Sequence, residues 1–279
     1  MVFSPTASNT ASGWAWAAYW HFARCAFQRR AAYPLANWTG IAVNFFFFLI
    51  HAQVLLAFFG ERKLAEGWRP EDAVLYFAGS EALMMVLAAF PDWKNNLSEK
   101  IRSGAVAIDL ARPVDLLGRE LAERFGNAIY FVGARTLPLL VASLWLYELV
   151  PPLHAGLLWL PLSLVLAIAL SGVIWYIAAA SAFWSESALG PMNAVVFVHT
   201  VLGGVVVPLD FYPGWLQIVC DALPFRGALY TPVALLTGQL DSAEIAFGLG
   251  HQVVWLVLCV GLARAIERRG VRRMVIHGG

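Results

Sequence analysis

Six apolar runs dominate this sequence, and each is long enough to cross a lipid bilayer as a helix. A helix needs about 20 apolar residues to span roughly 30 Å of hydrocarbon. Each run carries at most one Asp, Glu, Lys or Arg, and together they cover residues 35–59, 73–90, 125–147, 155–184, 188–209 and 245–263. Continuous apolarity favours helices over barrel strands, which alternate over about ten residues. The sequence therefore predicts an all-α membrane protein with six transmembrane helices in one domain, 1–279.

The overall composition excludes a soluble domain. Hydrophobic residues make up 60% of the chain and charged residues only 13%, with a mean hydropathy of +0.67. This is too little polar surface to cover a water-soluble core. The net charge of +1 gives no sign of a nucleic-acid partner, whereas membrane lipid is expected around the helices.

Lys and Arg residues collect on one side of the predicted spans. That side contains the segment before the first span, the 91–124 loop and the segment after the last span, with 14 basic residues against four on the other side. By the positive-inside rule, both termini and this loop are cytoplasmic. We expect a multi-pass protein of a bacterial-type cytoplasmic (inner) membrane.

The segment before the first span predicts a helix that lies in the membrane interface. Within 1–34, aromatic residues between Trp14 and Phe22 precede Arg24, Arg29 and Arg30. Aromatic and basic residues combined in this way are typical of helices in the headgroup layer.

The cytoplasmic loop predicts a short helix over 95–104. Asn96 and Glu99 have the spacing of a capping box, and Gly104 supplies a stop. Leu97 and Ile101 lie on one face of this helix, because they are four residues apart. We expect this helix, with its apolar face and a charged rim, to project into the cytoplasm.

The segment between the last two spans, 210–244, predicts a re-entrant hairpin on the outer side. Its first apolar piece, 213–223, is only about half a bilayer long, and Pro224 breaks it. A second piece follows over 225–236 and ends near Gly238. The preceding pair Gly203-Gly204 predicts close helix packing within the fifth span.

Two charged residues and one histidine fall inside the spans. At about 1.5 Å per residue, Glu81 lies about 14 Å and Arg135 about 15 Å from the cytoplasmic side. Charges at such depth are expensive and face protein or water. Either the two form an ion pair that locks spans two and three together, or Glu81 contacts a cationic substrate. His199 is a further pathway candidate in the fifth span.

The polar residues match neither a catalytic site nor a metal site. Cys25, Cys220 and Cys259 fall in different predicted layers, so we expect no disulfide and no cysteine-based metal site. The histidines form no His-Glu-x-x-His pattern, and the sequence has neither Gly-x-Ser-x-Gly nor the P-loop pattern that cradles ATP phosphates. An intramembrane enzyme is thus a weak alternative, and an ion-coupled carrier that uses Glu81 and Arg135 is a second one.

Several short motifs, in their order along the chain, resemble the permease subunits of ABC type-2 exporters, in particular the six-span group of small-molecule and drug exporters. They are Ile101-Arg102-Ser103-Gly104 and Leu110-Ala111-Arg112-Pro113 after the second run, Gly203-Gly204 and Pro208-Leu209-Asp210-Phe211-Tyr212-Pro213-Gly214-Trp215 after the fifth, and then Leu223-Pro224-Phe225, Tyr230-Thr231-Pro232 and Gly238. The resemblance covers essentially the whole chain.

The resemblance implies a non-enzymatic permease that pairs with a second copy or a sister subunit and docks two copies of a separate ABC ATPase. ATP and magnesium would then bind the ATPase, and no cofactor would bind this chain. The loop helix corresponds to a coupling helix, with Asn96, Leu97, Glu99, Lys100, Ile101, Arg102 and Gly104 as ATPase-coupling residues. The hairpin corresponds to an extracellular gate formed by Pro208, Asp210, Phe211, Pro213, Trp215, Pro224 and Phe225.

Overall fold

The computed structural model of the chain describes residues 8–59, 68–87, 97–150, 153–185, 187–205 and 207–273. Every regular element in these ranges is helical, which confirms the predicted all-α class. The helices are α1 Ser8–Ala31, α2 Pro34–Phe59, α3 Pro70–Leu87, α4 Leu97–Arg102, α5 Val106–Leu110, α6 Leu116–Phe131, α7 Leu137–Leu146, α8 Leu160–Ala180, α9 Leu189–Leu202, α10 Gly214–Ala222, α11 Thr231–Thr237 and α12 Ser242–Arg273.

Three continuous helical stretches among the described residues are long and apolar enough to cross a membrane. A π-helical turn, Val132–Thr136, joins α6 to α7 and forms the stretch Leu116–Leu146. The others are Ala155–Phe183, which contains α8, and Ser242–Arg273, which is α12. The predicted spans 35–59, 73–90 and 188–209 overlap α2, α3 and α9, although 88–90 lie outside the described residues. The total of six spans stays a prediction.

The core of the bundle is built around α3, α8 and α11. On α3 the side chains from Ala73 to Leu83 are buried all round, and on α11 those from Thr231 to Leu235 are buried as well. α2 packs on α3, and α12 packs on α8. The second arm of the 210–244 hairpin is therefore a core element, whereas the first arm, α10, exposes Trp215 and Ile218.

α9 ends earlier than the predicted 188–209 span because the glycine pair terminates it. Gly204 has a φ of 74°. The amide of Gly204 donates to the Val201 carbonyl and the amide of Val205 to the Thr200 carbonyl, which is the Schellman arrangement of a helix C-terminus. The sequence predicted close helix packing at this pair, but it did not predict that the helix ends there. α9 itself has 14 residues.

α1 packs in parallel along α6 through a close backbone contact. A Cβ atom at Gly126 would lie 1.9 Å from the Ala23 carbonyl oxygen, so only glycine permits this approach. The exposed side of α1 carries Trp16 and Trp20, as an interfacial helix would. The position of α1 in the membrane interface stays a prediction.

The substitution Gly204→Ala is expected to destabilise the protein. A side chain at positive φ costs about 1–2 kcal/mol, and the new Cβ would lie 2.9 Å from the Tyr76 hydroxyl. The melting temperature of the purified protein in detergent should fall. Gly261→Ala is the matched control, because Gly261 is a helical glycine with open space around it. Equal melting temperatures for the two variants would contradict a role for Gly204 in ending α9.

Candidate functional site

α4 is held at one end of the bundle by its apolar face. Leu97 is 2% exposed and Ile101 8% exposed, and α4 packs against α8 and the following turn Ser181–Phe183. Both side chains are buried inside the permease and anchor α4. A role of Leu97 and Ile101 in ATPase coupling stays a prediction. We call this end, where α4, α5, the start of α6 and the last turns of α12 meet, the basic end.

An ion-pair network at the basic end fixes α4 to α5 and α6. The Asp109 carboxylate on α5 lies 3.1 Å from the Lys100 ammonium of α4 and also contacts Arg119 of α6. Burial alone would raise the pKa of Asp109, but hydrogen bonds from Arg119 and Lys100 outweigh burial and hold that pKa below the ordinary aspartate value. Asp109 is therefore a charged junction of three helices.

The network continues from α6 to α1. Arg119 donates through Nε to the Glu123 carboxylate at 3.2 Å, and Arg29 of α1 approaches the same carboxylate at 2.9 Å. Arg119 also lies over the Phe22 ring, with its guanidinium carbon 5.1 Å from the ring centroid. α1 is thus tied to the same network as α4.

Asp115 joins the start of α6 to the end of α12. Its carboxylate caps α6 by accepting the Gly118 amide at 2.6 Å and also accepts from Arg264 of α12 at 2.7 Å. Burial favours the neutral acid, yet the bonds from Arg264 and Gly118 together lower the pKa of Asp115. The cap and the ion pair use one side chain, so α6 and α12 meet at a fixed point.

The outward surface of α4 is polar. Arg102, Ser103 and Gly104 are exposed, and Glu99 is partly exposed. Arg102 donates to the Glu99 carboxylate at 2.6 Å, and Gly104 ends the helix at a φ of 76°, as predicted for a stop. Asn96 lies outside the described residues. The surface available to a partner is therefore the charged face of α4 and its C-terminal turn.

At the opposite end of the bundle, tyrosine hydroxyls form hydrogen bonds around the break in the helical structure that follows α9 at Gly203-Gly204. Tyr76 of α3 donates to the Gly204 carbonyl at 2.8 Å, and Tyr212 donates to the Val201 carbonyl at 2.7 Å. Tyr230 donates to the Asp210 carboxylate at 2.8 Å. Tyr76 was missed by sequence reasoning because it lies in an apolar run without a motif around it.

The residues predicted to form a gate are spread over this region. Phe211 packs on Trp68 at 5.1 Å between ring centroids, Pro208 and Pro224 are buried, and Pro213 precedes α10. Trp215 is 68% exposed. The structure brings Asp210 and Phe211 to the α3 side of the break and leaves Trp215 on the outer surface of α10.

Glu81 and Arg135 have different partners. Glu81 is 3% exposed, and its carboxylate lies 3.1 Å from Nδ1 of His51 on α2. Arg135 donates to the Asn37 side-chain carbonyl at 3.0 Å and covers the Phe131 ring at 4.9 Å. Within the described residues, Glu81 and Arg135 are not brought together as the ion-pair alternative required. His51 was missed because a single histidine in an apolar run carries no pattern.

His199 is buried in the last turn of α9. It is 1% exposed, and its ring meets Phe225 at the hairpin tip edge-on, with centroids 6.0 Å apart. Neither ring nitrogen has a hydrogen-bond partner among the described residues. His199 therefore marks where α9 and the hairpin touch. Among the residues that the structure describes, no three His, Cys, Asp or Glu side chains come together as a metal site.

Comparison with known proteins gives one family. Residues 39–278 match the family model described as "ABC-2 family transporter protein". No curated protein and no solved structure matches the chain significantly.

The substitution Asp109→Asn is expected to loosen the basic end. It leaves Lys100 and Arg119 without their shared carboxylate, and breaking a largely buried ion pair costs about 3 kcal/mol. The melting temperature at pH 7 should fall clearly. Because the pKa of Asp109 is lowered in the fold, its stabilisation is present above the ordinary aspartate pKa and is lost as the pH falls through the lowered value.

The control for this prediction is Glu99→Gln, which removes a carboxylate from the exposed Glu99–Arg102 pair. Its melting temperature should match that of the wild type. The difference in melting temperature between the wild type and Asp109→Asn should become smaller in strongly acidic buffer. A difference that stays constant from neutral to acidic pH would rule out the charge of Asp109 as the cause.

Proposed function

Because the chain belongs to the ABC-2 transporter family, we propose that it is the permease subunit of an ATP-driven exporter of small molecules. Permeases of this family are membrane components that work with an ABC ATPase and are not themselves the ATPase. In our proposal two copies of the chain, or this chain and a sister subunit, form the pathway. Each docks one ATPase subunit, which binds ATP and magnesium.

The observation that carries this proposal is the attachment of α4. Its apolar side is buried in the bundle, its Lys100 is tied to Asp109, and its charged side is open. A partner that grips the open side therefore moves a helix that is already packed on α8. This is what a coupling element requires.

α9 provides a mechanical connection from α4 to the far end of the bundle. The Ser98 hydroxyl, in α4, contacts the Met192 sulfur in the first turn of α9 at 3.8 Å. The last turn of α9 bonds to Tyr212 and is followed by Gly204, which bonds to Tyr76. A helix of 14 residues is about 21 Å long. Displacement of α4 would thus reach the Gly204 break and the Asp210 region, which we assign to the gate.

Charge reversal on the open face of α4 should weaken ATPase docking. Arg102→Glu replaces an exposed cation and places two carboxylates three residues apart, with no change in the buried contacts. We expect the amount of ABC ATPase that copurifies with the permease from its native membrane to fall about tenfold, as for a charge pair lost at an interface. The melting temperature of the isolated permease should stay unchanged.

Two further variants separate docking from folding. Arg69→Glu removes an exposed charge at the opposite end of the bundle from α4 and should leave ATPase recovery at the wild-type level. Leu97→Asp should instead lower the melting temperature, because Leu97 is buried. Wild-type ATPase recovery with Arg102→Glu would overturn the docking assignment.

For the cargo we propose an amphipathic or cationic molecule that contacts Glu81. The carboxylate is buried in α3, while its partner His51 is half-buried and lies between the Phe47 and Phe77 rings at 6.4 and 5.5 Å. A cation in the position of the His51 ring would meet the Glu81 carboxylate and two aromatic faces. The ligand would take the place of the His51 ring.

Glu81→Gln should reduce transport of a lipophilic cation without affecting a neutral amphiphile. In inverted vesicles that contain the permease and its ATPase, ATP-driven uptake of tetraphenylphosphonium should fall at least about tenfold, because one charge contact is worth about 1.5–3 kcal/mol. Uptake of a neutral amphiphile of similar size should persist. The matched control is Glu71→Gln, an exposed carboxylate on the same helix.

A purely structural role of Glu81 would give a different result. If Glu81 only locks α3 to α2, Glu81→Gln will lower the melting temperature and reduce uptake of both probes in parallel. That result would remove Glu81 from the pathway and leave the permease assignment intact.

A further inference from the structure

A long apolar groove opens on the surface of the bundle between α8, α9 and α12. It encloses about 580 Å³, and Pro224 and Phe225 at the hairpin tip belong to its lining. The lining includes Ile177, Val195, Phe225, Trp255, Leu262 and Ile266. Leu262 is 51% exposed, so the groove is open along α12. In a bilayer such a groove faces hydrocarbon chains.

Two arginines follow the groove residues on α12. Arg269 and Arg273 follow Ile266 by three and seven residues, so they continue the same face of α12, and both are exposed. Trp184 lies at this end too, because its neighbour Phe183 packs against Gly270. Trp184 is 44% exposed, as is common for a tryptophan at headgroup level.

The opposite face of α12 provides a comparison. Arg268 and Arg272, with Arg264, line a separate cavity of about 450 Å³ next to α5. That cavity also contains Glu267, and Arg264 is paired with Asp115. Only the Arg269–Arg273 face continues the long apolar groove.

We propose that this groove binds an anionic phospholipid. One acyl chain lies along Leu262 and Val195, the phosphate contacts Arg269 and Arg273, and the Trp184 ring lies beside the headgroup. The apolar groove matches the acyl chain of such a lipid, and the two arginines beyond it match the negative charge of the headgroup. The site is independent of the proposed transport cycle.

A second copy of the chain fits this face less well. A symmetric pair uses the same patch on both copies, so docking here would bring Arg269 and Arg273 of each copy towards those of the other. Like charges opposed across an interface disfavour association. The lipid meets the same arginines with a negative charge.

Photolabelling tests the site. The full-length permease, in nanodiscs of phosphatidylcholine, receives a small fraction of phosphatidylglycerol with a diazirine in one acyl chain. Irradiation followed by peptide mass spectrometry should place adducts on the groove residues of α9 and α12. Unlabelled phosphatidylglycerol should compete at lower concentration than phosphatidylcholine with the same chains.

Variants then identify the two ends of the site. In Arg269→Gln with Arg273→Gln, competition by phosphatidylglycerol should weaken about 30-fold, the effect of two basic residues at a membrane surface. Arg268→Gln with Arg272→Gln has the same net charge and should compete like the wild type. Leu262→Trp, at an exposed position, should reduce the adducts within the groove while the melting temperature is maintained.

Three results would overturn the proposal. The first is equal competition by the two lipids, and the second is wild-type competition in Arg269→Gln with Arg273→Gln. The third is a groove without lipid adducts whose residues cross-link instead to a second copy of the chain.

Discussion

A six-residue helix has no stability of its own, so the candidate coupling surface depends on what anchors α4. Isolated helices shorter than about 12 residues are marginal even with favourable sequences. α4 forms because Leu97 and Ile101 are buried against α8 and because Asp109 pairs with Lys100. The ordered charged face is thus a consequence of packing on its opposite side. Rigidity at this point is what allows a force on α4 to reach the bundle.

The second constraint is the end of α9. In a membrane, an unsatisfied backbone group costs several kcal/mol, so a helix can stop within the bundle only where its last carbonyls find donors. The amides of Gly204 and Val205 and the Tyr212 hydroxyl supply them. Tyr76 then bonds to the carbonyl of Gly204 itself. The break is therefore a hydrogen-bonded joint between α3, α9 and the hairpin.

Much of the fold follows from local sequence, because apolar length and stop signals are local properties. The helical class, the positions of α2, α3 and α8, and the Gly104 stop were all predicted in this way. The direction of the apolar face of α4 was not. Periodicity shows that Leu97 and Ile101 share a face, but whether a partner or the chain's own α8 covers that face is a tertiary property. The end of α9 at Gly204 was not predicted for a similar reason, since packing glycines and terminating glycines differ only in φ.

Glu81 and Arg135 also show that local sequence does not determine tertiary partners. Their partners distinguish which of the two is the better candidate for the pathway. Equal depth and opposite charge favoured an ion pair between Glu81 and Arg135. In the structure, Glu81 contacts His51 and Arg135 contacts Asn37. Arg135 has a long side chain that reaches Asn37 in the first turns of α2, and such reach lowers the cost of a membrane arginine. Glu81 is too short to leave its depth, and its carboxylate meets the half-buried His51. Glu81 stays at its depth beside His51, which a ligand can displace. It is therefore better suited to contact cargo than Arg135, whose side chain already reaches the end of α2.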